Sequence, residues 1–552
     1  MLNFMDDNVV YHYSNLSYND TNKQYFIVTA ITTKERAFKN ISYSLLSFGW
    51  PVIIAFLVTP IIVHHFGVKE YGIYIFISTL VSLAGLLDVG VSTALSKFVA
   101  ERHGGRDLEG LKNLFKTANT LLLIIGVTGS VFIISSIFVG LAVFPGEATG
   151  VYKTYIPAFF YAGILFFINS INTLHVIIPV AYQRFDVGSK IGICFITIQQ
   201  AGILLIVFLD LSINSIFLLQ ALLMFVFYFI YKKYTGAILN PEERKLMGKY
   251  GWSATEAIKC YKFGIISFLN NLAGSSLAYL DRMIIPLFLG PSNLTFYSLP
   301  GSITSKVPTL SITLSSVVFP MTAHFEGGGN REMTKNLYIR SMRLITIVST
   351  AITVTFIVFA YVMLQYWISS ELADKATNIL VILALTNFVL AITYPLSNFL
   401  LGMGKLRALS ITSVLTAVLN AILLIIFLPR FGIIGAAWAY LLALIPYIFL
   451  IYVTEKLYLE LTFRRAHYVK LMSQLFVTST AVYLIDILLI KPFINNFFLV
   501  IVALVFSCGL FIIIHYLCGF FEKEDAYDIL NFMKQAVGTL GNHFKKDHDK
   551  QY

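Results

Sequence analysis

Residues 66–74 read Phe66-Gly67-Val68-Lys69-Glu70-Tyr71-Gly72-Ile73-Tyr74, and residues 289–297 read Leu289-Gly290-Pro291-Ser292-Asn293-Leu294-Thr295-Phe296-Tyr297. Gly67 maps onto Gly290 and Tyr74 onto Tyr297 at one common offset in the numbering. Each stretch is a short polar link between two long apolar runs, 41–63 to 71–95 in the first case and 263–288 to 294–320 in the second. A helix needs about 20 apolar residues to cross the hydrocarbon core of a bilayer, so each run is long enough to span. Six runs separate the two links, an even number, so the two copies enter the membrane in the same direction. Parallel six-helix repeats are a transporter architecture, with the cargo site between the halves.

The rest of the chain agrees. Of its 552 residues, 57% are hydrophobic and only 12% are charged, and the mean hydropathy is +0.77. The charged share is about half that of a soluble domain. This composition excludes a soluble enzyme and excludes disorder for the bulk of the chain. Fourteen apolar runs follow one another: 41–63, 71–95, 117–144, 155–181, 191–209, 213–231, 263–288, 294–320, 344–367, 377–400, 408–428, 433–453, 471–490 and 496–517. The expected fold is an all-α polytopic membrane protein of about 14 transmembrane helices. Two pseudo-symmetric six-helix bundles, 41–231 and 263–453, are joined by a linker over 232–262, and two extra helices follow over 471–517. Residues 1–40 read as a polar cytoplasmic arm, disordered over 1–38, with no cleavable signal peptide, and 518–552 as a cytoplasmic tail whose mildly amphipathic stretch from about 521 lies on the membrane surface or in solvent.

The net charge of +11 has a topological reading. With both termini cytoplasmic, 33 of the 40 Lys and Arg fall on the cytoplasmic side and five on the opposite side. Such a bias is what orients membrane proteins, and it removes the need for a nucleic-acid partner. The four cysteines, Cys194, Cys260, Cys508 and Cys518, have no spacing that suits a disulfide framework or a zinc site, and no cofactor or metal is expected.

Two cations remain that topology does not explain. Lys306 lies twelve residues into the run 294–320, about 18 Å deep at ~1.5 Å per residue. Arg282 lies about 9 Å from the outer end of its run. A charge at the bilayer centre costs roughly 2.5–3.5 kcal/mol on insertion scales, so such residues face a cavity or a partner. More than a third of the run around Lys306 is Ser or Thr, and Pro300-Gly301 and Pro308 interrupt it, a composition suited to a wet wall. Arg282 and Lys306 are therefore the candidate substrate-binding residues: a guanidinium can fork two phosphate oxygens, and an ammonium acts as a point charge. For Arg282, an ion pair with an acid or an outward reach to the interface is the competing reading. Asn270, Asn271, Ser275, Ser302, Thr304 and Ser305 are expected to line the cavity. Asp88 and Asp281 are the candidate ion-coupling acids, with a pair to a neighbouring cation or a cap near Gly90 as the alternative for Asp88 and a bundle seam for Asp281. Lys97, Arg102 and Arg106 read as topology determinants, and Asp486 as peripheral.

Several motifs, in order, resemble a known family. They are Phe66-Gly67 with Glu70-Tyr71-Gly72 and Tyr74, then Leu87-Asp88 with Gly90, Ser96-Lys97 and Glu101. Leu280-Asp281-Arg282 with Leu289-Gly290 and Tyr297 follows, and then Pro429-Arg430-Phe431-Gly432 with Gly435 through Tyr440. The chain resembles the Wzx-type polysaccharide flippases of the MOP exporter superfamily over about 41–520; the arm before residue 40 departs from that pattern. The resemblance implies a MATE/MOP-like fold and a task, which is flipping an undecaprenyl-diphosphate-linked oligosaccharide across the bacterial inner membrane by alternating access. It also implies a cationic cavity and coupling to a proton or sodium gradient. The partners it implies are bilayer lipid, a polysaccharide polymerase and chain-length proteins. A multidrug or peptidoglycan-precursor exporter of the same superfamily is the alternative. A membrane polysaccharide polymerase or glycosyltransferase fits less well, because the outer loops of about ten residues leave little room for catalytic groups.

Overall fold

The structure is a computed structural model that describes residues 20–143, 153–316, 318–460 and 465–520. Regular structure among the described residues is helical throughout. The order begins with α1 (Asp20–Ala84), α2 (Val91–Gly104), α3 (Leu108–Val143), α4 (Ile156–Ala181), α5 (Phe185–Phe208) and α6 (Asn214–Ile238). A short helix, α7 (Pro241–Leu246), lies in the linker before α8 (Ala254–Leu289), α9 (Pro291–Thr304), α10 (Lys306–Ser315), α11 (Val318–Gly327) and α12 (Arg331–Val358). The chain continues with α13 (Ala360–Trp367), α14 (Ser370–Gly402), α15 (Leu406–Ala443), α16 (Ile445–Val453), α17 (Arg465–Ile485) and α18 (Phe497–Leu517).

Ten helices among the described residues are long and apolar enough to cross a membrane, against fourteen expected runs. The difference has a local cause. Gly49–Asp88 covers 40 residues and Leu406–Tyr458 covers 53, about 60 and 80 Å of helix if straight, or two bilayer cores each. Each is broken by a glycine outside helical geometry, Gly67 (φ 82°, ψ 168°) in α1 and Gly432 (φ 61°, ψ −148°) in α15. The two remaining expected runs lie in α8 and in the broken pair α9–α10.

The expected arm also needs correction. Helix α1 begins at Asp20, so residues 20–40 are helical and continuous with the first apolar run. No Gly or Pro occurs between Asp20 and Phe48 to stop the helix. The tail beyond Phe520, including the amphipathic stretch, lies outside the described residues.

The sequence repeat has a geometric counterpart. Gly290 adopts φ 84°, ψ 165°, almost the values of Gly67, and both conformations are open to glycine at no steric cost. The two links meet. A Cβ added to Gly72 would stand 2.0 Å from the carbonyl oxygen of Pro291, and Thr295 Oγ1 donates to the carbonyl oxygen of Val68 at 2.7 Å. Under the offset that aligns Gly67 with Gly290, Gly72 corresponds to Thr295 and Pro291 to Val68. One contact is thus the other with its partners exchanged, as a local two-fold relation requires. The faces turned away from this core carry large apolar side chains open to the surroundings, such as Phe208, 85% exposed, and Leu517, 75% exposed. In water this would be a severe penalty; in lipid it is the surface the bilayer wants.

Candidate functional site

Proline sets the position of Lys306. Pro308 has no N–H to give the carbonyl of Thr304, four residues back, and the run breaks at Ser305, with α9 ending at Thr304 and α10 starting at Lys306. The buried face of α10 carries Val307, Pro308, Ser311 and Ser315. It packs on α12 and α14, with Ser311 Oγ 3.3 Å from Ser349 Oγ and Asn398 Nδ2 donating to the Ser315 carbonyl at 3.0 Å. Lys306 points the other way and is exposed. Thr309, Thr313 and Ser316 follow at helical spacing and are also accessible, with Ile312 at the flank. A polar stripe headed by an accessible ammonium, in the middle of the apolar run 294–320, fits an aqueous cavity and not lipid.

Arg282 sits near the contact between Gly72 and Pro291. It makes no hydrogen bond or ion pair among the described residues. It lies within electrostatic range of Tyr71, from the first repeat, and of Asp281, Tyr297 and Tyr440. Adjacent helix residues point about 100° apart, and Asp281 accordingly turns away into the bundle seam, where it is 1% exposed. Tyr297 Oη donates a short hydrogen bond to Asp281 Oδ2, and Asn420 Nδ2 donates to Oδ1 at 3.3 Å. Asn420 Oδ1 is buried with no partner among the described residues.

Other expected residues fare differently. Thr304 is fully buried, takes a hydrogen bond from Asn387 Nδ2 at 3.0 Å and belongs to the α9–α14 packing, not to the cavity wall. Ser302 and Ser305 are half-buried and donate to carbonyls of their own helix, Leu299 and Ser302. Asn270, Asn271 and Ser275 lie in α8, and their side chains fall outside the described residues. Asp88 is a cap: its two oxygens accept from the Ser92 backbone N–H at 3.2 and 3.1 Å, at the start of α2. Its charge therefore offsets the orphan donors of a helix N-terminus, the alternative noted from sequence.

At the opposite end of the spans lies a second contact between the repeats, which sequence reading missed. A Cβ on Gly90 would lie 2.3 Å from the Gly264 carbonyl oxygen, and one on Gly264 would lie 2.7 Å from that of Val89. Lys97 Nζ stands 4.5 Å over the ring of Phe263. Arg102 forms a short ion pair with Glu256 and a second short bond to the Gly110 carbonyl, both side chains about nine-tenths buried. His103 Nδ1 lies 2.9 Å from Glu243 Oε1 on α7. Arg102 is thus a latch between α2 and the start of α8, not only a topology marker. No sequence signal marks a pair drawn from the first repeat and the linker.

Cys260 reports on this latch. It is 1% exposed, and its thiol is pushed up to about 11 by burial first and then by the Glu256 charge, with Arg102 pulling it the other way. Removing one partner of a buried ion pair costs about 3–5 kcal/mol. In a chain whose other three cysteines are alanine, Arg102→Ala is expected to speed maleimide labelling of Cys260 by at least about tenfold. Loss of the Arg102 charge alone raises the thiol's pKa further and slows labelling, so acceleration reads opening; unchanged or slower labelling counts against the latch.

Residues 267–426 match the MatE family. A Shigella flexneri protein named "Putative O-antigen transporter" is 21% identical over 419 residues, 72% of this chain and 93% of its own. Two solved structures share the fold. One, a lipid II flippase, MurJ, in an inward closed conformation, matches with a TM-score of 0.67 at 15% identity, covering 86% of this chain and 97% of that one. The other, a multidrug resistance MATE transporter of the MOP superfamily in an inward-facing conformation, matches at 0.53 and 16%, covering 75% and 96%.

Proposed function

We propose a cargo for this chain, which is a transporter of the MOP superfamily and not an enzyme: a lipid-linked oligosaccharide on an undecaprenyl diphosphate carrier, moved from the cytoplasmic to the outer leaflet. The observation that carries the reading is Lys306, accessible at a helix break within a spanning run and followed by a hydroxyl stripe. A diphosphate brings at least two negative charges into a low-dielectric path, and a fixed cation offsets their desolvation. Arg282, free of any acid partner among the described residues, is the second cation, set nearer the outer contact. The likeness to the Shigella protein over 72% of the chain supports the same cargo class.

In this account the chain crosses the membrane fourteen times with both termini cytoplasmic. Bundles over 41–231 and 263–453 flank the cavity, and helices over 471–517 stand beside the second bundle. The contacts at Gly72–Pro291 and Gly90–Gly264 close the cavity at its two ends, and alternating access opens one at a time. The lipid tail stays in the bilayer while the headgroup passes Lys306 and Arg282.

The coupling acid in this reading is Asp281, since Asp88 is committed to its cap. Asp281 couples two segments, because Tyr297 and Asn420 hold it from α9 and α15. Asp281→Asn is expected to leave protein levels near normal and to remove the dependence of export on the proton or sodium gradient. Export by that variant with its full gradient dependence would exclude Asp281.

The cargo is tested by deletion in the native cell. One surface glycan should be lost and restored by the intact gene, with tolerance to drugs unchanged. Loss of drug tolerance with the glycan intact favours a multidrug exporter, and failure of wall synthesis favours a peptidoglycan-precursor carrier.

A further inference from the structure

Asp486 reads as peripheral in the sequence, yet it is 0% exposed, at the seam where α17 and α18 meet α12. The helix after α17 loosens into a π turn over Asp486–Ile490, a form that recurs at functional sites. Ser507 Oγ, on α18, donates to Asp486 Oδ2 at 2.5 Å. Ser507 Oγ is in turn 3.0 Å from Thr355 Oγ1 on α12, and Thr355 Oγ1 donates to the Ala351 carbonyl at 2.9 Å. Asp486 Oδ1 is buried with no hydrogen-bond partner among the described residues. Among the described residues no cation pairs with the carboxyl.

A proton count decides between its two forms. Ionised, Asp486 has one hydroxyl donor on Oδ2 and a bare Oδ1, and a buried charge so poorly served is costly. Neutral, a proton on Oδ2 donates to Ser507 Oγ. The Ser507 hydrogen then turns to Thr355 Oγ1, and Thr355 keeps its bond to Ala351. Every hydroxyl remains satisfied, the Asp486–Ser507 bond reverses direction, a bond from Ser507 to Thr355 forms, and no heavy atom has to move.

We propose that Asp486, Ser507 and Thr355 form a proton-binding site in the seam between the two C-terminal helices and α12. The proton reaches it from the face that carries Lys491, five residues further on and about 8 Å along the axis. Of the titratable groups around it, Cys508 faces the site from α18, its Sγ 3.5 Å from Thr355 Oγ1. His515 lies about 12 Å from Ser507 along α18, and Arg343 about 18 Å from Thr355 along α12, both toward the other face. The site is separate from the Asp281 seam, and the inference does not rest on the cargo.

The test is infrared spectroscopy of the full chain in phosphatidylethanolamine–phosphatidylglycerol vesicles, titrated with pH. The spectrum of the wild-type chain minus that of Asp486→Asn is expected to hold one protonated-carboxyl C=O stretch. The band should fade on alkalinisation and shift in Ser507→Ala, which removes a hydrogen bond to the group. Should Asp486→Asn fail to fold, Asp486→Glu serves in its place, with a displaced band that titrates in the same way. A difference spectrum with no such band at any pH, or a band unchanged at every pH, overturns the proposal.

Discussion

Lys306→Ala is expected to abolish export of the surface glycan while the protein accumulates to its normal level in the membrane. Lys306 is accessible and its side chain holds no part of the α10 packing, which rests on Val307, Pro308, Ser311 and Ser315. Truncating it therefore removes charge without opening a core cavity. What is lost is the only fixed positive charge on the polar stripe of α10. A charge-assisted contact to phosphate contributes about 1.5–3 kcal/mol, and two such contacts on one diphosphate set the barrier to crossing. Lys306→Arg should keep measurable export, because the charge survives while its geometry changes. Arg282→Ala should reduce export strongly as well. The readout is surface glycan by lectin or antibody staining, with membrane protein measured by immunoblot. Wild-type export from both alanine variants would remove the cavity assignment.

Gly264→Val is expected to stop transport by a different route. At this position even a Cβ stands 2.7 Å from the Val89 carbonyl oxygen and 2.8 Å from the Gly90 carbonyl carbon. These are backbone atoms, so no side chain can swing aside. The two repeats must separate there by about 1 Å or more to restore ordinary contact, and the Arg102–Glu256 pair separates with them. The Gly90–Gly264 end then cannot close, and a carrier that cannot close one end cannot safely open the other. Cys260 labelling should rise in Gly264→Val as in Arg102→Ala, while Gly264→Ala should fall between. Gly72→Val is the mirror experiment at the opposite end, with Pro291 O only 2.0 Å from the added carbon. It should leave Cys260 protected and still block export. Normal export from both valine variants would show that neither contact has to close.

Some of this was legible before any coordinates. The equivalence of Gly67 and Gly290 could be read because a tight link between two apolar runs needs glycine at one position, and the two share φ and ψ within a few degrees. Lys306 stood out because a charge deep in an apolar run is costly wherever it is not served. The departures have equally physical sources. Two pairs of the fourteen runs merge into single long helices across kinks at Gly67 and Gly432, and two more runs lie in α8 and in the broken pair α9–α10. Thr304 was assigned to the cavity because composition counts hydroxyls but does not fix the face they occupy; one residue of rotation, about 100°, puts it against Asn387. Asp88 takes the cap that the sequence already offered beside Gly90. Arg102–Glu256 and Asp486–Ser507–Thr355 could not be read at all, since each depends on which distant helices become neighbours.

The cargo and the role of Lys306 are the centre of the account, and one measurement joins them. Purified chain is reconstituted into vesicles whose inner leaflet alone holds a fluorescent oligosaccharide on an isoprenoid diphosphate. Arrival in the outer leaflet is followed by an impermeant glycosidase. The account predicts cleavage that depends on the wild-type protein and falls to the protein-free rate with Lys306→Ala. Equal rates with wild-type protein, with Lys306→Ala and with empty vesicles would contradict it.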